Sequence, residues 1–121
     1  KPMFALLSQK FEKGNATVTI CHTKTKDISY HTRQADIIIA AVGVPKFITS
    51  EMIKDDVILI DVGINYINDK SVKGYHLVGD VDFESIQAKA QAVTPVPGGV
   101  GPMTITMLLY NTVKSAETFC K

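Results

Sequence analysis

The sequence predicts an α/β fold built on a doubly wound parallel sheet, and three observations predict it. Two short runs, "DIIIAAV" (36–42) and "DVILIDVG" (56–63), are almost continuously apolar and rich in Ile and Val. That is the pattern of strands covered on both faces of a parallel sheet. Polar, helix-compatible stretches alternate with these and with weaker strand candidates, as they do in successive βαβ units. Finally, the ends of both apolar runs carry glycine, Gly43 and Gly63, where the chain must leave a sheet.

In order, a helix is expected over 3–13, closed by Gly14 and Asn15, and then an alternating, β-branched strand, "ATVTICH" (16–22). Helices at 29–34, 49–54 and 83–90 separate the two apolar strands and two shorter ones near Leu77 and Val93. The last helix should begin at Pro102, since proline suits a first helical turn, and run to about Glu117. Its Met103, Met107, Leu109, Val113 and Ala116 recur at helical spacing, with Ile105 and Leu108 widening the stripe. A stripe so wide predicts a mostly buried helix.

With 121 residues, 45% of them hydrophobic, the chain is expected to be one globular unit that buries about two thirds of its unfolded surface. Thirteen Lys and Arg against twelve Asp and Glu, with no basic block, leave no electrostatic footprint for nucleic acid or an anionic membrane. The longest apolar run, 37–45, is far short of the roughly 18 residues that span a bilayer. Residues 1–7 lack the length and cleavage site of a signal peptide. A soluble, cytoplasmic location is expected, with no membrane and no nucleic-acid partner. Cys21 and Cys120 are read as reduced thiols, and no metal site is expected: Asp80 and Asp82 in "GDVDF" have no further ligand cluster and are given a structural role.

Ligands of an open parallel sheet bind beyond the carboxyl ends of its strands. Three such ends stand out. Ala41, Val42, Gly43 and Val44 follow the first apolar run, and "DVGIN", with Gly63 and Ile64, closes the second. At either glycine the missing side chain would admit a flat ligand or allow a left-handed turn. After the alternating strand comes "CHTKTKD". An NAD site usually has Asp or Glu at such an end for the ribose hydroxyl, but no acid appears before Asp27. Thr23, Lys24, Thr25 and Lys26 instead offer hydroxyl and ammonium donors suited to a 2′-phosphate, so NADP is favoured over NAD. A solvated charged loop is the plain alternative. Finally, Pro97 and Pro102 bracket Gly98, Gly99, Val100 and Gly101 at the start of the last helix, where free N–H groups can hold an anion or a polar ring.

The string "TPVPGGVGPMTITMLLYNT" (94–112) resembles the signature of the methylenetetrahydrofolate dehydrogenase/cyclohydrolase family. "NATVTICHTKT" (15–25), "ADIIIAAVGVP" (35–45), "VILIDVGIN" (57–65) and "LVGDVDF" (77–83) resemble it in the same order, so the resemblance covers essentially the whole chain. It implies a Rossmann-like NADP-binding domain, spanning 1–121, of a two-domain enzyme. Such an enzyme oxidises 5,10-methylenetetrahydrofolate to the methenyl form and hydrolyses that to 10-formyltetrahydrofolate, in the one-carbon metabolism that feeds purine biosynthesis. A folate substrate and a homodimer are implied with it. Pro97, Gly98, Gly99, Val100 and Gly101 would line the folate side of the cleft, and Thr104 would lie near the nicotinamide. Ala41 to Val44 and Ile64 would touch the cofactor, and Thr23 matches a position where the family commonly puts serine near the 2′-phosphate.

Relative to the family pattern, the first strand with its "GRSxxVG" turn and the preceding domain, which supplies a catalytic Tyr and Lys, a Gln and an Asp, are not in these 121 residues. No catalytic residue is therefore assigned to this chain, and a catalytically inactive nucleotide-binding or dimerisation module is the alternative. Tyr66 with Lys70 and Tyr110 with Lys114 share the Tyr-x-x-x-Lys spacing, but neither stands where the family's catalytic helix would be. His22 could assist the 2′-phosphate loop; His31 and His76 are read as surface or strand-edge residues.

Overall fold

The computed structural model describes residues 2–12, 14–70 and 72–120. Its centre is a parallel sheet of order β1-β2-β5, made of β1 (Ile37–Ala40), β2 (Ile58–Asp61) and β5 (Ala92–Val93). Ile38 pairs with Leu59 and Leu59 with Val93, so all three strands end at the same edge. The expected α/β class with a parallel sheet holds. Both apolar runs form strands, each shorter than the run that predicted it: Ala41 and Val42 of the first and Val57, Val62 and Gly63 of the second lie outside the ladder.

One face of this sheet carries the core. Ile38, Ala40 and Leu59 point into it and meet Ile48, Ile53, Val57, Val81 and Ile86, all buried. On the opposite face Ile39, Ile58 and Ile60 are only half-buried, and Ile37 is exposed. The expectation of strands covered on both faces is thus corrected: among the described residues a single layer is packed to completion. Short helices α2 (Ile28–Thr32) and α3 (Phe83–Ile86) and a 3-10 turn at Ser50–Met52 serve that layer. Thr32 Oγ1 donates to the Met52 carbonyl at 2.5 Å and Arg33 Nε to that of Glu51 at 2.9 Å, which ties α2 to the turn.

Three further expectations are revised. Residues 16–22 form no ladder, and most of their side chains are exposed; β-branched composition makes a strand only when tertiary context sets the segment against a partner row, and neither open edge of the described sheet, β1 or β5, pairs with it. The strand near Leu77, β4 (Tyr75–Val78), pairs antiparallel with β3 (Asn65–Asn68) in a separate hairpin, outside the parallel sheet. Its Tyr66 and Tyr75 rings meet edge to face, 5.1 Å apart. The first helix, α1, closes at Leu7 (Pro2–Leu7), and Lys13 of the predicted helix lies outside the described residues.

The last helix, α4 (Val100–Phe119), starts two residues before Pro102, which still falls in the first turn, where an amide has no intrahelical acceptor. It is not buried. Met103, Ile105, Leu108, Leu109 and Val113 are each more than half exposed. The apolar stripe that predicted burial is real, but no described element covers it. Among the described residues no helix is long and apolar enough to cross a membrane.

Candidate functional site

Where the parallel strands end, two buried carboxylates organise the loops. Asp61 closes β2 and Asp80 follows β4; they are 3% and 0% exposed. Burying a carboxylate is costly unless donors replace its water, and here each finds three. Asp61 Oδ1 accepts from the Gly63 N–H (2.9 Å) and the Asp80 N–H (3.0 Å), and its Oδ2 accepts from the Val81 N–H (3.0 Å). Asp80 Oδ2 accepts from Val42 N–H (2.6 Å) and Gly43 N–H (2.9 Å), while Oδ1 accepts from Asn65 Nδ2 (2.8 Å). The pair thereby ties the ends of β1, β2 and β4 together.

Thr94 adds the end of β5. Its Oγ1 accepts the Asp61 N–H at 2.8 Å and its own N–H reaches the Leu59 carbonyl at 3.1 Å. The loop that follows contains a cis Val96–Pro97 bond and Gly98 at φ 104°. From there Gly98, Gly99 and Val100 line an open groove of about 800 Å³ together with Thr94, Ile60 and Thr104. Met103, Met107 and Leu108 of α4 form its apolar wall. The Thr104 hydroxyl donates back to the Val100 carbonyl at 2.9 Å, leaving its oxygen free to accept. A groove with apolar walls and a few fixed polar groups suits a flat heterocycle.

The structure therefore brings Gly98, Gly99, Val100 and Thr104 together; Pro97 and Gly101 flank the groove without lining it. Ala41 to Val44 stay exposed at the neighbouring strand end, with Gly43 in the left-handed region at φ 70°. Ile64 is 60% exposed beyond β2.

Thr23, Lys24 and Thr25 lie in a third loop, which the sequence itself pre-forms. Thr25 Oγ1 accepts the His22 N–H (2.9 Å), the Thr25 N–H reaches the His22 carbonyl (2.8 Å), and His22 Nδ1 accepts the Lys24 N–H (3.1 Å). Thr23 and Lys24 are left exposed at the tip of this turn. His22 and Thr25 are thus turn-forming groups. Asp27, the first acid after the loop, caps α2 by accepting the Tyr30 N–H at 3.1 Å.

Gly63 has a different reason from the one its position suggested. It is not in a left-handed turn, and a Cβ there would overlap the Asp80 carboxylate. Gly79 bears the same relation to Asp61. The glycines make room for buried charges of the protein's own. The sequence reading assigned Asp80 a structural role and passed over Asp61; the available signal was an aspartate ending an apolar strand with glycine two residues on.

Tyr110 and Lys114 do share a helix face, the ammonium lying 5.9 Å from the ring centre, while Tyr66 and Lys70 sit in and beyond a strand. Asp82 pairs with Lys46 at 3.6 Å. Among the described residues no group of three or more His, Cys, Asp or Glu could hold a metal ion.

Parallel strand ends, glycine loop and helix start follow one order along the chain. The sequence profile described as tetrahydrofolate dehydrogenase/cyclohydrolase, NAD(P)-binding domain, matches residues 1–120. The chain belongs to this family. Among relatives of the tetrahydrofolate dehydrogenase/cyclohydrolase family, the bifunctional protein FolD of Chlorobium luteolum is 60% identical over 118 residues, 97% of this chain and 40% of that protein. The crystal structure of the bifunctional FolD methylenetetrahydrofolate dehydrogenase/cyclohydrolase from Campylobacter jejuni is similar at 57% identity and a TM-score of 0.76, over 88% of this chain and 36% of that one. The Trypanosoma brucei enzyme, solved with NADP cofactor and inhibitor, is similar at 46% identity and a TM-score of 0.76, over 82% of this chain and 34% of its own. The chain spans about 40% of the length of the curated relatives it matches.

Proposed function

We propose that this chain is the cofactor-binding part of a bifunctional folate enzyme. That enzyme oxidises 5,10-methylenetetrahydrofolate with NADP and hydrolyses the methenyl product to 10-formyltetrahydrofolate, a one-carbon donor of the kind purine synthesis consumes. The observation that carries this reading is the groove at the strand ends, where Gly98, Gly99, Val100 and Thr104 converge beside the Thr94–Asp61 bond in a segment that belongs to the family.

The residues present fit NADP. Lys24 supplies an ammonium and Thr23 a hydroxyl at the tip of a turn already braced by His22 and Thr25, a donor set suited to a phosphate. Asp27, the first carboxylate after the turn, caps α2, its Oδ1 accepting the Tyr30 N–H. Ala41 to Val44 and Ile64 present apolar surface to the cofactor's uncharged parts, and the Val42 and Gly43 amides are already taken by Asp80. When bound, NADP supplies the acceptor for the hydride that leaves the methylene carbon. The chain's own contribution is positional. Pro97 to Gly101 and Thr104 hold one reactant against the other, and orientation of this kind supplies a large share of the catalysis of a two-reactant step. The acid-base groups of the reaction are assigned to no residue of this chain. In this reading the enzyme is a cytoplasmic homodimer.

The test is a rate measurement on the complete polypeptide with 5,10-methylenetetrahydrofolate and either NADP or NAD. NADPH formation faster than NADH formation is expected, followed by appearance of the 10-formyl product. Tight NADP binding with no turnover would favour the inactive nucleotide-binding module instead.

A further inference from the structure

We propose that Asp80 is a positioning residue for the cofactor, a built-in anion that holds the Ala41–Val44 turn in its binding shape before any ligand arrives. The proposal rests on the reading of that turn as a cofactor contact.

Two consecutive N–H groups, those of Val42 and Gly43, converge on the single oxygen Oδ2 of Asp80 at 2.6 and 2.9 Å, and Gly43 has a φ of 70°. Successive amides turned onto one point by a left-handed residue form a nest, a concavity that binds anions. Nests at strand ends commonly receive a phosphate of the ligand. Here the nest is filled from beneath by a side chain that is 0% exposed. The turn therefore has no amides to offer a phosphate at this point, and a fixed negative charge lies behind it. What it presents outward is Val42 and Val44, each 48% exposed, a surface for an uncharged part of a nucleotide.

Asp80 is itself held from every side, which distinguishes a template from an incidental contact. Its N–H donates to Asp61 Oδ1 (3.0 Å), its carbonyl accepts the Ile48 N–H (2.9 Å), and its other oxygen accepts from Asn65 Nδ2 (2.8 Å). The absent Cβ of Gly63 is what lets the carboxylate sit there. The turn cannot relax away without dislodging a buried charge.

The test is made in the complete polypeptide with three variants, Asp80→Ala, Asp80→Asn and Asn65→Ala, reading kcat and the KM for NADP and for the folate separately. Asp80→Ala empties the nest, and the KM for NADP should rise by about tenfold or more, the scale of lost hydrogen bonds to a charged group, with the folate KM unchanged. Asp80→Asn keeps an oxygen for both turn amides, while the Asn65 amide can rotate to accept from the new NH2 group; it should return the KM for NADP to within about threefold of the parent. Should Asp80→Ala fail to fold, Asn65→Ala, which frees only Oδ1, carries the test with a rise of about threefold or more in the same constant. A KM for NADP that stays within about twofold in Asp80→Ala or, where that variant does not fold, in Asn65→Ala, or a fall in kcat with both KM values rising together, overturns the proposal alone. Failure of the unaltered polypeptide to bind NADP overturns the functional reading and this proposal with it.

Discussion

A Cβ on Gly63 would occupy the space filled by the Asp80 carboxylate. The two residues are 17 positions apart in sequence but form one packing unit, because Asp61 takes both the Gly63 N–H and the Asp80 N–H on a single oxygen. Gly63→Ala should therefore act as an overpacking substitution on a polar core. A loss of about 1–3 kcal/mol is expected, read as a lower midpoint in denaturant at unchanged slope. An unaltered midpoint would show that the carboxylate can move aside freely.

Lys24→Ala tests the 2′-phosphate assignment. Lys24 stands exposed at the tip of the turn closed by His22 and Thr25, so its removal should leave folding unaffected. The KM for NADP should rise by about tenfold, as for loss of a charge-assisted contact, and that for NAD should not change. The effect should shrink as salt screens the pair. Equal changes for the two cofactors would place the 2′-phosphate elsewhere.

Away from the site, Asp36 bonds the Lys54 ammonium. That hydrogen bond, and then the Lys54 charge, lower the carboxyl below its usual range, with burial opposing slightly. A lowered folded-state value means the pair contributes stability above the ordinary carboxylate range and loses it as pH falls through the lowered value. Lys54→Met should accordingly reduce stability at neutral pH and converge with the parent in strong acid. The Asp36 side chain is exposed, so the difference should be small and should vanish in high salt. Urea melts at neutral and acid pH, with and without salt, check the sign.

The 121-residue chain on its own should self-associate. Leu108, Leu109, Ile105 and Met103 of α4 are 57 to 66% exposed, and so much contiguous apolar surface is not left bare by a soluble monomer. Sedimentation of the isolated chain should show oligomers or aggregate that bind a hydrophobic dye. A cooperative thermal transition in a soluble monomer would sink this expectation.

The central strands were legible because "DIIIAAV" and "DVILIDVG" carry their signal in composition alone, and composition is what burial selects. Likewise the Gly98–Val100 loop and Thr104, a contiguous string, could be located and come together in the groove. Illegible were features that depend on partners. Residues 16–22 have the residues of a strand but pair with no described row, and the α4 stripe, read as a sign of burial, is exposed among the described residues. Nor was β3 signalled, since asparagine at Asn65 and Asn68 is poor in strands and the element exists through antiparallel pairing with Val78 and Tyr75. The Asp61 and Asp80 arrangement required contacts across as many as 38 positions, between Val42 and Asp80, which no spacing rule reveals. The reason for Gly63 was hidden with it.

Hydride transfer between the folate and NADP is the central step of the proposed reaction. The measurement is to supply the complete polypeptide with 5,10-methylenetetrahydrofolate deuterated at the methylene carbon and to weigh the reduced cofactor. One deuterium on the nicotinamide ring of NADPH, matched by methenyl product that retains the other, is the predicted result. NADPH without deuterium, or no reduction of NADP at all, would contradict the account.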